Sequence, residues 1–157
     1  MGRRSRIRSN RRSKLIRVSF NAGTGNIGRR RISLFLSKIV RRLGLKGCAL
    51  SVLLADDRSM KALNKRFRGT ARTTDVLAFS MLEGRKVAGE KGLLGDVVIC
   101  VDTIRRNARE RGDRVAYEMG FCLVHGILHL LGYKDGRAKD REYMNSMTQK
   151  LIKGVSI

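Results

Sequence analysis

The chain contains two histidines, His125 and His129, within the segment FCLVHGILHLLGYKDG. The apolar residues around them predict a helix, which would put both imidazoles on one face, one turn apart. Residues at this spacing have Cβ atoms about 5–6 Å apart, which suits two ligands of one cation. Histidines at this spacing also occur in helices that bind no metal, so the pair alone leaves both interpretations open.

A catalytic metal site needs a third protein ligand, because three ligands leave one coordination position for water. Gly132 follows the expected end of the helix and can adopt the left-handed conformation that turns the chain back. Asp135 would then return toward His129, and a carboxylate oxygen is an ordinary zinc ligand. We therefore predict His125, His129 and Asp135 as the metal ligands.

The residue after His125 is Gly126. The H-E-x-x-H helix of metallopeptidases carries its catalytic glutamate at this position, so peptide hydrolysis is not favoured. Glycine inside a helix costs about 0.5–1 kcal/mol relative to alanine. We expect a compensating reason for Gly126, which is either close packing against another element or close approach of a substrate.

The charge of the chain favours a polyanionic partner. Lys and Arg number 35 against 13 Asp and Glu, which leaves a net charge of +22. Each phosphate that a basic surface neutralises releases counterions, so nucleic acid is the expected partner. A merely solubilising surface is the alternative. Acidic lipid is less favoured, because no long basic helix with an aromatic face is found.

The cysteines and the apolar segments indicate a compartment. Cys48, Cys100 and Cys122 are odd in number and show no C-x-x-C spacing, which is typical of a reducing environment. No apolar run reaches the roughly 18 residues of a membrane span, and no apolar stretch follows the basic start. We expect a cytoplasmic protein without membrane contact.

The chain divides into a short arm and one domain. Residues 1–13 contain six Arg and one large hydrophobic residue, Ile7, and are predicted to be a disordered basic arm. A transit peptide is the alternative interpretation of this composition. Residues 14–157 read as a single domain without repeats or linkers.

The hydrophobic pattern predicts an α+β fold, in which helices pack on a mixed sheet of about four strands. One predicted helix, 57–66, would turn Met60, Leu63 and Phe67 inward. The predicted strands are 14–20, 48–55, 74–81 and 93–101, the first helix is 29–43, the segment 83–92 is a surface loop, and helices follow from Asp102 with breaks near Gly112 and at Gly132 to Gly136.

Three segments resemble the YbeY family of bacterial endoribonucleases. HGILHLLGYKD is similar to the family's metal-binding motif H-G-x-L-H-L-x-G-Y-D-H. FRGTARTTDVLAFSM resembles its F-R-G-x-x-x-P-T-D-V-L-S-F-P segment, and GLLGDVVIC with Asn107-Ala108 resembles its L-G-D-I-x-I strand and the following helix. The segments keep the family's order and span residues 66–144, about half the chain.

The resemblance implies a metal-dependent endoribonuclease that cuts single-stranded RNA. It implies a role in maturation of the 3′ end of small-subunit ribosomal RNA and in ribosome quality control, with the ribosome or a ribosomal protein as partner. It also implies that the histidine-bearing helix is central. With few aromatic residues to stack bases, the sequence preference should be slight.

The family's site residues carry over with one departure. His125 and His129 match the first two of the family's three histidine ligands, and Asp135 stands at the third. We expect one divalent ion, zinc. Nickel and manganese are alternatives, because an Asp ligand makes the site more anionic than a site of three histidines. Arg68 matches the arginine of F-R-G, so the implied catalytic residues are Arg68, His125 and His129. Thr73 and Ser80 replace the family's prolines.

Two other functions stay open from the residues. One is a non-catalytic RNA-binding factor of ribosome assembly with a structural metal, and the other is a metal-dependent hydrolase of a different substrate. Asp75 and Asp96 are interpreted as structural, with orientation of a metal-binding imidazole as the alternative.

Overall fold

Four strands form a mixed sheet in the order β1-β2-β4-β3. Strands β1, β2 and β4 are parallel, and β3 pairs antiparallel with β4. This confirms the predicted four-stranded mixed sheet. The computed structural model describes residues 16–21, 28–45, 47–82 and 92–157, so the basic arm and most of loop 83–92 lie outside the described residues. The strands are β1 Ile16–Phe20, β2 Ala49–Ala55, β3 Val76–Ser80 and β4 Leu93–Cys100.

Five helices accompany the sheet in the described residues. The predicted breaks at Gly112 and Gly132 end two of them, and both glycines have positive φ, 72° and 93°. A residue with left-handed backbone at this position ends a helix, because the N–H groups of the following turn then donate to the last carbonyls of the helix. The helices are α1 Arg29–Arg42, α2 Asp57–Arg68, α3 Val101–Arg111, α4 Val115–Leu130 and α5 Ala138–Ile152.

The two faces of the sheet pack against different helices. The larger core cluster joins one face to α1, α4 and α5, and the smaller cluster joins the other face to Met60 of α2. Helical spacing in the predicted helix 29–43 selects Ile32, Phe35, Leu36, Ile39 and Leu43; the first four are buried, and Leu43 is partly buried against the same core. Helix α4 packs on β3 and β4 and also contacts α1, α3 and α5, so the histidine-bearing helix is central.

Helix α2 corrects the prediction in two details. It continues to Arg68, because the residue that ends it is Gly69 with φ 71°. Phe67, predicted to face inward, is 52% exposed. The last turn of α2 lies at β3, an edge strand, and the Phe67 ring packs edge-on against Phe79 of that strand at 5.0 Å between centroids. The Arg66 guanidinium lies over the same ring, 5.3 Å from its centroid.

Candidate metal centre and cleft

The two histidines project from the accessible side of α4. The His125 and His129 side chains are 13% and 27% exposed, while most other residues of this helix are fully buried. Their rings meet edge to face, with centroids 5.1 Å apart. The predicted helical spacing therefore does bring both imidazoles to one place at the surface of the core.

The turn after α4 returns Asp135 to the histidines. Gly132 donates its N–H to the His129 carbonyl, and Tyr133 donates its N–H back to Leu128. The chain then reverses, and Asp135 Oδ2 lies 3.5 Å from His125 Nε2 and 3.6 Å from His129 Nε2. Gly132 thus performs the turn that its position after the helix predicts.

The donor set fits a divalent metal ion. One ligand atom from each of His125, His129 and Asp135 lies within 4.8 Å of the others. Ligand bonds of about 2.0–2.2 Å in a tetrahedral site place neighbouring ligand atoms about 3.4 Å apart, close to the two nitrogen–oxygen distances in this group. These three residues therefore form a group that could hold a metal ion.

Hydrogen bonding prepares the ring of His129 for this role. Its Nδ1 lies 2.9 Å from the Tyr133 carbonyl, which can only accept, so Nδ1 carries the proton and donates. The Nε2 lone pair is then free on the side of Asp135. A backbone carbonyl is a common partner of metal-binding imidazoles, because it fixes both tautomer and ring orientation.

His125 is prepared mainly by burial. Desolvation lowers the pKa of His125 below its ordinary value, and the neighbouring Asp135 carboxylate only partly opposes this shift. Neutral imidazole is the form that binds metals. Its Nδ1 is buried without a hydrogen-bond partner among the described residues.

The packing of Gly126 explains the missing glutamate. A Cβ at this position would lie 2.7 Å from Val97 Cγ1 and 3.0 Å from Val76 Cγ2. Of the two reasons considered for this glycine, close packing of α4 on the sheet is the one observed. A glutamate side chain has no room there, so the residue that serves as base in H-E-x-x-H peptidases cannot be accommodated.

Ser80 stands where the related motif has proline and makes a tertiary contact. Its Oγ donates to the Leu130 carbonyl at 2.8 Å and accepts from the Leu82 N–H at 3.2 Å. The hydroxyl therefore ties strand β3 to the last turn of the histidine-bearing helix. A proline side chain could do neither.

The group formed by His125, His129 and Asp135 lies in a cleft of about 1210 Å³. This exceeds the roughly 300–1,000 Å³ of small-molecule sites and leaves room for a polymer segment. Both acidic and basic residues line the cleft. Some of them form ion pairs with each other, Arg111 with Glu118 and Arg137 with Asp140. The basic residues that line the cleft are Arg68, Arg111, Lys134, Arg137 and Arg141.

Arg68 shares this cleft with the histidines. It is the last residue of α2, and Gly69 turns the backbone away immediately after it. The Arg68 guanidinium makes no hydrogen bond or ion pair with any other described residue. An unpaired guanidinium keeps its planar fork available for two oxygens of a phosphate.

Asp75 and Asp96 are separated by the sheet. Asp75 lines the cleft and accepts hydrogen bonds from Thr74 Oγ1 and Cys122 Sγ, at 3.3 and 3.6 Å. Asp96 alternates with Val97, which packs under α4, so its side chain lies on the opposite face with Val98. Only Asp75 is on the side where it could influence the histidines.

The structure adds three cleft residues that sequence reasoning missed. Glu118 is 1% exposed, and both its oxygens accept from Arg111 Nη1, at 2.9 and 3.1 Å. Asn64 is buried and donates to the Arg72 carbonyl at 2.8 Å, which holds the turn that follows Arg68. The sequence shows that Glu118 lies in an otherwise apolar helix and that Asn64 follows Met60 by four residues. It does not show which residues these two side chains contact.

Fold and site together define an α+β protein with a His₂Asp group in a large cleft. A family model described as Endoribonuclease YbeY matches residues 21–156. The Endoribonuclease YbeY of Anaeromyxobacter dehalogenans (strain 2CP-C) is 37% identical over 139 residues, which is 88% of this chain and 70% of that protein. That of Aquifex aeolicus (strain VF5) is 45% identical over 118 residues, 72% of this chain and 77% of that one.

This chain belongs to the Endoribonuclease YbeY family. A solution structure of a Thermotoga maritima protein is similar in fold, with a TM-score of 0.61, 24% sequence identity, and coverage of 88% of this chain and 90% of that one. The described part of this chain has no helix long and apolar enough to cross a bilayer.

Proposed function

We propose that this protein is a metal-dependent endoribonuclease that cuts single-stranded RNA, with residues 14–157 as the catalytic domain. Cleavage of RNA is the activity that the names of its curated relatives state. The observation that carries the proposal is the approach of Asp135 Oδ2 to within 3.5–3.6 Å of both imidazole Nε2 atoms inside one cleft. The half-exposed carboxylate leaves this group open to a substrate.

The metal we propose is one zinc ion, with nickel or manganese as alternatives, held by His125, His129 and Asp135. When bound, such an ion polarises a phosphoryl oxygen and lowers the pKa of a bound water. The chain's own residues prepare the site for it. Burial keeps His125 neutral, and the Tyr133 carbonyl turns the Nε2 lone pair of His129 toward Asp135.

Arg68 is proposed to bind the phosphate at which the chain is cut. Its guanidinium has no competing partner among the described residues, so two of its N–H groups can reach two phosphate oxygens. Fixed positive charge at this place stabilises the negative charge that develops during cleavage. We propose Arg68, His125 and His129 as the catalytic residues.

The biological substrate we propose is ribosomal RNA, at the 3′ end of the small-subunit molecule, with a further role in ribosome quality control. The net charge of +22 and the size of the cleft support an RNA substrate. A cytoplasmic location and contact with the ribosome or a ribosomal protein are parts of the same proposal. The basic arm, residues 1–13, is proposed to add salt-sensitive RNA affinity.

The test compares RNA cleavage by the wild-type protein with two variants. His129→Ala and Arg68→Ala should each lower the cleavage rate of single-stranded RNA by about 10³-fold, because each removes an electrostatic contribution to the transition state. The metal content separates the two effects, since His129→Ala should lose the ion and Arg68→Ala should retain it. Circular dichroism would establish that both remain folded.

Lys61→Ala provides a matched control, because Lys61 is exposed on the same helix as Arg68 and does not line the cleft. It should cleave at nearly the wild-type rate. Unchanged cleavage by both site variants would refute the proposed active site. Tight, salt-dependent binding of ribosomal RNA without turnover by the metal-loaded wild type would favour the assembly factor instead.

A further inference from the structure

Helix α4 has a single accessible stripe. From Tyr117 to Leu130 the residues in contact with solvent recur every fourth position, and all those between them are buried. The four accessible residues are Tyr117, Phe121, His125 and His129. Each carries a planar ring.

Exposure to solvent does not by itself explain why all four accessible residues of this stripe carry rings. The accessible side of a helix is normally charged or polar, and this protein has charged residues in abundance. Tyr117 nevertheless leaves 44% of its surface exposed, and Phe121 lines the cleft that holds the histidines. A row of rings on an otherwise buried helix points to a surface that other flat groups contact.

The rings form a continuous row that runs into the metal-binding group. The Tyr117 and Phe121 centroids lie 6.4 Å apart with planes tilted by 39°. The Phe121 ring is nearly parallel to the His125 imidazole, with centroids 5.8 Å apart and planes at 19°. Each step of four residues advances about 6 Å along the helix. The row therefore extends two turns from His125, through Phe121 in the cleft lining to the exposed Tyr117 next to it.

We propose that Tyr117 and Phe121 form a stacking surface for unpaired bases of an RNA strand that enters the cleft. This inference rests on the proposed ribonuclease function and names how its substrate is recognised. Bases stack on aromatic side chains with little regard to base identity, because every base has a flat π face.

Charge complementarity identifies nucleic acid as the occupant. The same cleft contains the exposed Lys134 and also Arg68, whose guanidinium has no partner in the described part of the chain, and the whole chain carries +22. A polyanion bearing flat apolar groups matches both features, since its phosphates meet the basic residues while its bases meet the rings.

The arrangement also accounts for the choice of single strands. A base in a duplex is already stacked on its neighbours and paired across the helix, so its face cannot reach a protein ring. Only unpaired bases can reach Phe121 while their phosphate approaches the metal-binding group. Strand selection is then a property of Tyr117 and Phe121, and catalysis is a property of the two histidines that continue the same stripe.

The test combines ring removal with base removal. In a single-stranded oligoribonucleotide, replacing one nucleotide near the cleavage position by an abasic residue should raise KM for the wild-type protein on the order of tenfold. Phe121→Leu keeps an apolar side chain but has no ring, so it should show a similar rise with the intact RNA and no further rise with the abasic one. Phe121→Tyr should behave like the wild type.

Further variants keep the result independent of folding and of the metal. Tyr117→Ala changes an exposed residue and should raise KM several-fold while kcat and metal content stay unchanged. Phe67→Leu removes a half-exposed ring that does not line the cleft, and it should have no effect. Equal abasic penalties in the wild type and in Phe121→Leu would overturn the proposal, as would an equal loss in Phe67→Leu.

A binding measurement separates this proposal from the proposed function. Stopped-flow fluorescence of single-stranded RNA containing 2-aminopurine should show quenching by the wild-type protein and much less by Phe121→Leu. If the RNA is quenched but never cut, the stacking surface stands and the ribonuclease function fails. If it is cut without any quenching difference between the two proteins, the stacking surface fails and the function stands.

Discussion

Asp57 and Asp135 are carboxylates of similar exposure, 35% and 44%, with opposite surroundings. Asp57 receives a guanidinium on both oxygens, with Arg106 Nη1 and Nη2 at 2.7 and 2.8 Å, and also contacts Cys100 Sγ and Thr103 Oγ1. Asp135 faces two imidazoles, one of them held neutral by burial. Arg106 neutralises the charge of the Asp57 carboxylate. The Asp135 carboxylate has no Arg or Lys partner among the described residues, so its charge is available to a bound cation.

The difference is visible in their chemistry. The hydrogen bonds from Arg106 hold the pKa of Asp57 down at about 2. Asp57 therefore belongs to a closed structural cluster that joins the start of α2 to α3. The Asp135 group instead keeps three ligand atoms within 4.8 Å of one another, an arrangement that a bound metal ion would stabilise.

The largest expected effect is on metal affinity. Asp135→Asn should weaken zinc binding by about 100-fold or more, because loss of a ligand exceeds the 10–100-fold effect of losing a group that only orients a ligand. Asp57→Asn should leave the affinity unchanged. Competition titrations against a chromophoric chelator would measure both. Equal zinc affinities of Asp135→Asn and Asp57→Asn would show that the different surroundings of these two carboxylates have no effect on metal binding.

The stability of the metal-free protein tests whether Asp135, unlike Asp57, is dispensable for the fold. Without an ion, Asp135→Asn should change the free energy of unfolding by less than about 0.5 kcal/mol, as for most surface substitutions. A large loss of stability would instead mean that Asp135 supports the fold. Urea denaturation of the chelator-treated protein is the appropriate measurement.

An intermediate effect is expected from Gly126→Ala. The added Cβ would meet Val97 and Val76 at 2.7 and 3.0 Å, and overpacking of this kind costs about 1–3 kcal/mol. The better helix propensity of alanine offsets about 0.5–1 kcal/mol of this cost. Denaturant unfolding should therefore show a net loss of stability that does not exceed about 2.5 kcal/mol.

Gly120→Ala is the matched control in the same helix. Its Cβ would meet the Phe35 ring at 3.1 Å, so a small ring displacement can relieve the contact. It should cost less than Gly126→Ala. The reverse order would show that the α4–sheet contact beside the histidines is not the tight one.

A smaller loss of stability is expected when the Asp57 carboxylate is removed. Its pKa is about 2 in the folded protein and 3.8 ordinarily, so its stabilisation is present above pH 3.8 and is lost as the pH falls toward 2. Asp57→Asn should lower the free energy of unfolding by about 1 kcal/mol at pH 7, a value reduced by solvent screening. The wild type and variant should converge near pH 2.

Thermal unfolding between pH 7 and pH 2 would follow this convergence. Asp113→Asn, a change at an exposed position in the turn after α3, should show no such pH dependence. A difference between wild type and Asp57→Asn that stays constant down to pH 2 would contradict the ion-pair explanation.

Local patterns predicted most of the fold and much of the candidate site. The spacing of His125 and His129 predicted one shared face, and Gly132 predicted the turn that returns Asp135. Both depend on residues within a few positions of one another, where helix geometry and left-handed glycine restrict the chain strongly. The resemblance to the family added Arg68, because nothing in its own surroundings distinguished it from other arginines. Its catalytic role stays a prediction, as does that of the metal.

The sequence by itself determined the secondary structure, the positive charge and the local geometry of the ligands, since these follow from short-range periodicity and composition. Only the tertiary structure decided that Gly126 faces Val97, that Phe67 lies half-exposed at an edge strand, and that Glu118 is buried beside Arg111. It also decided which residues of α4 remain accessible. Those outcomes depend on which distant segments pack together, and a pattern along one segment does not record its neighbours in space.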